Sequence, residues 1–279
     1  MSQPQFSLAY LTVFGTPPGR MVQIAAETGY DFVSFRLTAV TDDEPRFPFF
    51  TDPTLVSDVR NSLRDAGIAV LDVELVRTDP GTTALDFKPF MDASAELGAR
   101  HIVTQIPEPD RSKATSDFAG ICDLAAPYGM TVDLEFIPWS STRDLRMAAD
   151  IVIGADRPNG GILVDTLHFE RSGSSLNQLS MLDEGLFNFV QLCDATPAVS
   201  NDPDELIRVA RSDRYPPGEA SIDLAPIVRA IPQVPYSLEV PNEAMKEEMG
   251  VMEYSRRVLD SARALLDGMA TAPAEAAQS

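Results

Sequence analysis

Histidine, cysteine and positive charge are all scarce in this chain. Two histidines, two cysteines and one tryptophan occur in 279 residues, and 22 basic side chains face 42 acidic ones, a formal net charge of −20. A duplex nucleic-acid binder displaces counterions from phosphate with basic charge, and an anionic membrane surface demands the same, so neither is expected as a partner. Cys122 and Cys193 form no C-x-x-C pair, which argues against a disulfide scaffold or a zinc ribbon. The opening MSQPQFSLAY has no basic region followed by an apolar core, and no run approaches the roughly 18 apolar residues of a membrane span. The expectation is a soluble protein of a reducing compartment, the cytoplasm.

Short apolar or β-branched runs do recur. They are 6–11, 31–37, 68–75, 101–106, 130–136, 161–167, 187–194 and 236–240. From Phe6 to Tyr236 their spacing averages about 33 residues, close to the ~30 or more of a βα unit. Helical patterns fill the gaps at 19–29, 53–67, 84–98 and 116–129, each ending in glycine, and 243–267 reads as one long amphipathic helix. Near-continuous apolar strands indicate parallel strands buried on both faces. Closing such a sheet removes its edges, and the turn GTPPGR after the first strand is not G-x-G-x-x-G. The chain therefore reads as α/β, a single-domain (β/α)8 TIM barrel over 1–269, with 270–279 as a disordered tail.

In such a barrel the active site lies at the C-terminal ends of the strands, and side chains alternate faces along each strand. On that alternation strands 5 to 8 each end with one inward oxygen donor: Glu135, Asp165, Gln191 and Glu239. Three carboxylates crowded together repel one another, and a dication removes the conflict. An all-oxygen set favours Mg²⁺ or Mn²⁺, with Co²⁺ or Zn²⁺ also able to bind. His168, three residues after Asp165, falls at the rim of the same pocket. His101 begins a strand and falls at the opposite face. Strands 2 to 4 end in Arg36, Glu74 and Gln105, candidate substrate contacts. Arg36 either clamps a substrate oxyanion or pairs with Glu74. Arg214, in the long loop 195–222, is a further candidate, with Arg208 and Arg211 read as helix-surface charges. Cys193 reads as packing, and Phe14, Phe136 and Trp139 as aromatics of either pocket or core.

The order Glu135 … Asp165-x-x-His168 … Gln191-x-x-Asp194 … Arg214-x-x-Pro217-Gly218-Glu219 … Glu239 resembles the xylose isomerase-like TIM barrels over about 6–266. The resemblance implies that Glu135, Asp165, Gln191 and Glu239 are metal ligands. It implies that His168 and Arg214 contact substrate, and that Glu135 and Glu239 also transfer protons. Sugar epimerases of that superfamily usually carry histidine where Gln191 stands. Some bacterial 3-dehydroshikimate dehydratases use glutamine there, but usually have histidine where this chain has Ile137.

The expected activity is a metal-dependent isomerisation or epimerisation of a sugar, sugar phosphate or polyol, with Glu135, Glu239 and His168 catalytic. A lyase acting on a cyclic hydroxy-ketone is the alternative, like a 3-dehydroshikimate or inosose dehydratase. A degenerate binding or partner subunit is the third. The expected partner is a small polyhydroxy carbonyl compound, and pairing into a homo-oligomer is open. Phosphodiester cleavage calls for a multi-histidine metal cluster and a basic face, which this chain lacks.

Overall fold

The computed structural model of the chain describes residues 3–42 and 44–271. Among them, eight strands close into one barrel: β1 (Phe6–Leu8), β2 (Phe32–Arg36), β3 (Ala69–Arg77), β4 (His101–Gln105), β5 (Thr131–Glu135), β6 (Gly160–Asp165), β7 (Val190–Leu192) and β8 (Tyr236–Leu238). Neighbours in sequence are parallel neighbours in space, and β8 closes on β1. Parallel pairing requires a crossover between strands. The crossovers carry helices α1 (Pro18–Thr28), α2 (Pro53–Ala66), α3 (Lys88–Leu97), α4 (Arg111–Ala125), α5 (Leu145–Ala155), α6 (Thr166–Arg171), α7 (Leu176–Ser180), α8 (Pro203–Ser212) and α9 (Leu224–Arg229). After β8 come α10 (Glu243–Met249) and α11 (Val251–Thr271). The single (β/α)8 barrel read from the spacing is the fold found.

Aspartates start several helices. Asp52 accepts hydrogen bonds from the Thr54 and Leu55 amides, Asp110 from Lys113 and Asp144 from Met147. Such caps contribute about 0.5–2 kcal/mol each and place part of the acidic excess where the helix dipole favours it. The Asp110 cap also starts α4 at Arg111, ahead of the expected 116. The single helix expected over 243–267 is two. Gly250 adopts φ 80°, outside the helical region, and separates α10 from α11. β1 stops at Leu8 and turns into a short 3₁₀ segment, Tyr10–Val13. β7 is only three residues long because Glu184–Leu186 form a 3₁₀ turn before it. Of the expected tail, 270 and 271 belong to α11, and 272–279 lie outside the described residues.

Two apolar layers support the strand ends. The larger lies between strands and helices, with Val33, Ile102, Val132 and Ile162 facing outward. The smaller fills the barrel: Phe32, Leu71, Leu75, Val103, Leu163 and Phe189. Val103, Leu163 and Phe189 each lie two residues before a polar strand end, so this plug forms the floor beneath Gln105, Asp165 and Gln191. Below it sits a polar layer. Asp133 accepts from Asn188 Nδ2 at 2.7 Å and from Thr131 Oγ1 at 2.6 Å, and His101 stacks on Phe189. His101 is at the stability face, as read from its strand position.

A Cβ added at Gly161 would lie 2.4 Å from Asp133 Oδ1 and 2.5 Å from Asn188 Nδ2. Gly161→Ala is therefore expected to lower unfolding stability by about 1–3 kcal/mol through overpacking. Urea denaturation reads this, and an unchanged midpoint would show that the lower layer yields freely.

Candidate functional site

The strand register gathers the site. Asp165 pairs across the sheet with Gln191, which sets those two donors side by side, while Glu135 pairs with Leu163, one inward position earlier on β6. Glu239 follows β8 directly. Asp165 also starts α6. Its Oδ1 accepts from the Leu167 amide at 2.8 Å and the His168 amide at 3.0 Å. That cap fixes the first turn of α6 and turns the His168 side chain over the barrel mouth. His168 Nε2 lies 3.8 Å from Glu135 Oε1, and the ring meets Trp139 edge to face at 5.2 Å. One ligand atom each from Glu135, Asp165 and His168 fall within 4.8 Å of one another.

Arg214 stands among these residues. Its guanidinium is 2% exposed. Nη1 is 2.6 Å from Asp165 Oδ2 and Nη2 is 3.1 Å from Glu239 Oε2, while Nε donates to the Ala210 carbonyl at 2.7 Å. The loop delivering it is tied to β7. Asp194 accepts from the amides of Gly218, Ala220 and Ile222, and its backbone bridges to Tyr215. The Arg214 amide also bonds the Pro241 carbonyl just past β8. Arg214, expected to touch substrate, is thus an internal partner of two of the four expected metal ligands. Cys193 Sγ sits 3.5 Å from Nη1, and burial pushes its thiol up to about 12, consistent with packing rather than nucleophilic attack.

The charges follow from these contacts. Burial raises Asp165, but Arg214, His168 and the cap outweigh it and hold the carboxyl below its ordinary value. Burial, and then the Asp165 charge, push Glu135 up to about 7, even though Gln105 Nε2 donates to Oε2 at 2.5 Å. Glu239 is raised well above the carboxylate range, burial outweighing Arg214. Burial takes His168 down to about 4, leaving it neutral. Gln191 Oε1 is buried without a hydrogen-bond partner. Desolvated carboxylates and an orphaned amide oxygen are what a dication would satisfy, so Glu135, Asp165 and Gln191, with His168 beside them, fit such an ion, whereas Glu239 lies outside that cluster and is paired with Arg214.

Arg36 resolves toward its ion-pair alternative: it pairs with Glu74 at 2.5 Å and with Glu44 at 2.9 Å. Gln105 reaches Glu135, and both line the cavity. Phe136 belongs to the outer core, whereas Trp139 and Ile137 line the cavity. Two contributors were not legible. Glu44 sits in an irregular loop with no strand pattern to locate it. Arg211, read as a surface charge, lines the cavity from the end of α8.

A parallel eight-stranded barrel with acidic strand ends around one mouth defines a class of small-molecule TIM barrels. The chain belongs to the xylose isomerase-like TIM barrel family, whose profile it matches over residues 22–262. It is 24% identical over 244 residues to an inosose isomerase of Bacillus velezensis, covering 81% of this chain and 83% of that one. It is 27% identical over 264 residues to a 3-dehydroshikimate dehydratase of Pseudomonas aeruginosa, covering 87% of this chain and 39% of that one. Among solved structures, IolI protein with a bound zinc atom superposes with TM-score 0.82 at 18% identity, covering 96% of this chain and all of that one. No helix among the described residues is long and apolar enough to cross a membrane.

Removing Arg214 leaves Asp165 and Glu239 buried and uncompensated. Arg214→Met is expected to cost about 3–5 kcal/mol of stability in metal-free protein, the range for breaking a buried ion pair on one side. Urea unfolding in EDTA checks it, and a loss below about 1 kcal/mol would mean that the carboxylates simply protonate.

Proposed function

We propose that this protein is a divalent-metal-dependent isomerase or epimerase of a polyhydroxy ketone, working by removal of the proton α to the carbonyl. The observation that carries this is the pair Glu135 and Glu239, both buried at the barrel mouth, with Glu135 pushed up to about 7 and Glu239 raised well above its ordinary value, in each case first by burial. A carboxylate with such a pKa holds or accepts a proton near neutral pH, the property a general acid–base group needs. The names of the inosose isomerase and the 3-dehydroshikimate dehydratase point to cyclic hydroxy-ketones as the substrate class.

Glu135, Asp165 and Gln191 would hold the ion, and their oxygens suit Mg²⁺ or Mn²⁺. Bound there, it would supply Lewis-acid polarisation of the substrate carbonyl and a neighbouring hydroxyl. Glu239 takes the α-proton at Oε1 or Oε2, and Arg214 orients that carboxylate through Nη2. Glu135, steadied by Gln105, returns a proton from the other wall of the mouth. Return to the same carbon on the opposite face gives an epimer; return to the adjacent carbon gives an isomer. Trp139 and Ile137 shield the mouth from water.

A dehydratase is the second reading, favoured by Gln191 and by neutral His168 beside Glu135. There His168 would handle the proton of a departing β-hydroxyl.

With inosose in deuterated buffer and Mn²⁺, the wild type is expected to incorporate deuterium at the α-carbon. Glu239→Gln should lower that rate by ~10²–10⁴-fold, the usual contribution of general acid–base catalysis. Unchanged incorporation removes Glu239 from the proton transfer. With 3-dehydroshikimate, growth of an aromatic absorbance band would establish the lyase instead.

A further inference from the structure

Glu74 has no part in that proton chemistry, yet its surroundings are built with care. It lies within β3, three residues before the strand's end at Arg77, is 1% exposed, and lines the same cavity as Glu135, His168, Gln191 and Glu239. β3 lies across the closed ring from β7. Arg36 donates both Nε, at 2.9 Å, and Nη2, at 2.5 Å, to the single oxygen Oε2 of Glu74. Its Nη1 donates to Glu44 Oε1 at 2.9 Å. Glu44 is itself held, because its Oε2 accepts from the Val40 and Thr41 amides at 2.5 and 3.4 Å. The guanidinium is thus gripped between two carboxylates, and Glu74 is locked in orientation. Its other oxygen, Oε1, is buried with no hydrogen-bond partner.

An acceptor kept dry and unpaired is unfavourable unless a ligand completes it. Arg36 is thus fully engaged by its two carboxylates, and Arg77, farther along β3, also lines the cavity. A ligand phosphate or carboxylate set against Oε1 would be repelled, whereas a hydroxyl would donate a hydrogen bond to it.

We infer that Glu74 determines specificity: its Oε1 accepts a hydrogen bond from a substrate hydroxyl, so the substrate group set against that oxygen is an uncharged hydroxyl rather than a phosphate or carboxylate. Arg36 and Glu44 position that carboxylate. This rests on the polyhydroxy-ketone reading above and adds to it one substrate hydroxyl that the β3 wall recognises.

The test is calorimetric binding, without turnover, of scyllo-inosose and its set of monodeoxy analogues to Mn²⁺-supplemented wild type and Glu74→Gln. The expected result is at least tenfold weaker binding of the parent by Glu74→Gln. For one deoxy analogue, wild type and variant should bind alike, because the hydroxyl that Glu74 receives is missing. Arg36→Lys, which keeps the charge but loses the two-donor grip, should show a smaller version of the same selective loss. Equal weakening across all analogues, no weakening at all, or no binding of the parent by wild type overturns the contact. Selective weakening without deuterium exchange would instead sink the proposed reaction and leave the contact standing.

Discussion

One buried cation holds the mouth of this barrel together. Arg214 lies between Asp165 and Glu239, carboxylates from two strands that β7 separates, and all three side chains are buried. In such surroundings an unpaired charge costs several kcal/mol, so position and charge are decided together. The guanidinium keeps Asp165 ionised, and Asp165 in turn repels a negative charge on Glu135. Glu239, farther from the cation and deeply buried, is raised above its ordinary value despite the contact. One arginine thus sets apart three carboxyl groups that are chemically alike in sequence. Differentiated carboxyls within one pocket are how a fold performs acid and base chemistry at one pH.

The rest of the structure serves to place that side chain. Asp194 gathers amides from 218 to 222, the loop folds back, and the Arg214 amide docks on Pro241 past the end of β8. Beneath it the plug of Val103, Leu163 and Phe189 gives the strand ends a rigid apolar floor. The same arrangement recurs on the far wall, where Arg36 is fixed by Glu44 and Glu74. Each of these two arginines is paired within the protein, while Arg77 and Arg211 also line the cavity.

Much of this was legible because strand periodicity is strict. Two residues per repeat put Glu135, Asp165 and Gln191 on the inward face once the strands were located, and a closed barrel then brings their ends together. The Arg36–Glu74 pair was legible because the two face each other on adjacent strands, although β3 runs on to Arg77 rather than ending at Glu74. Arg214 as an internal counter-ion was not. It lies 49 residues from Asp165, and its direction is set by hydrogen bonds from Asp194 that leave no pattern in the chain. Glu44 was hidden likewise in an irregular loop. The break at Gly250 could have been read from glycine inside a helical pattern, but the amphipathic repeat on both sides outweighed it.

The chain is a member of the xylose isomerase-like barrels and is similar to an inosose isomerase. The most direct measurement is an anomalous difference map from crystals of the protein soaked in Mn²⁺. The account predicts one strong peak bounded by the side-chain oxygens of Glu135, Asp165 and Gln191, with Arg214 at its edge. A mouth without a peak, in which the guanidinium alone bridges Asp165 and Glu239, would contradict it.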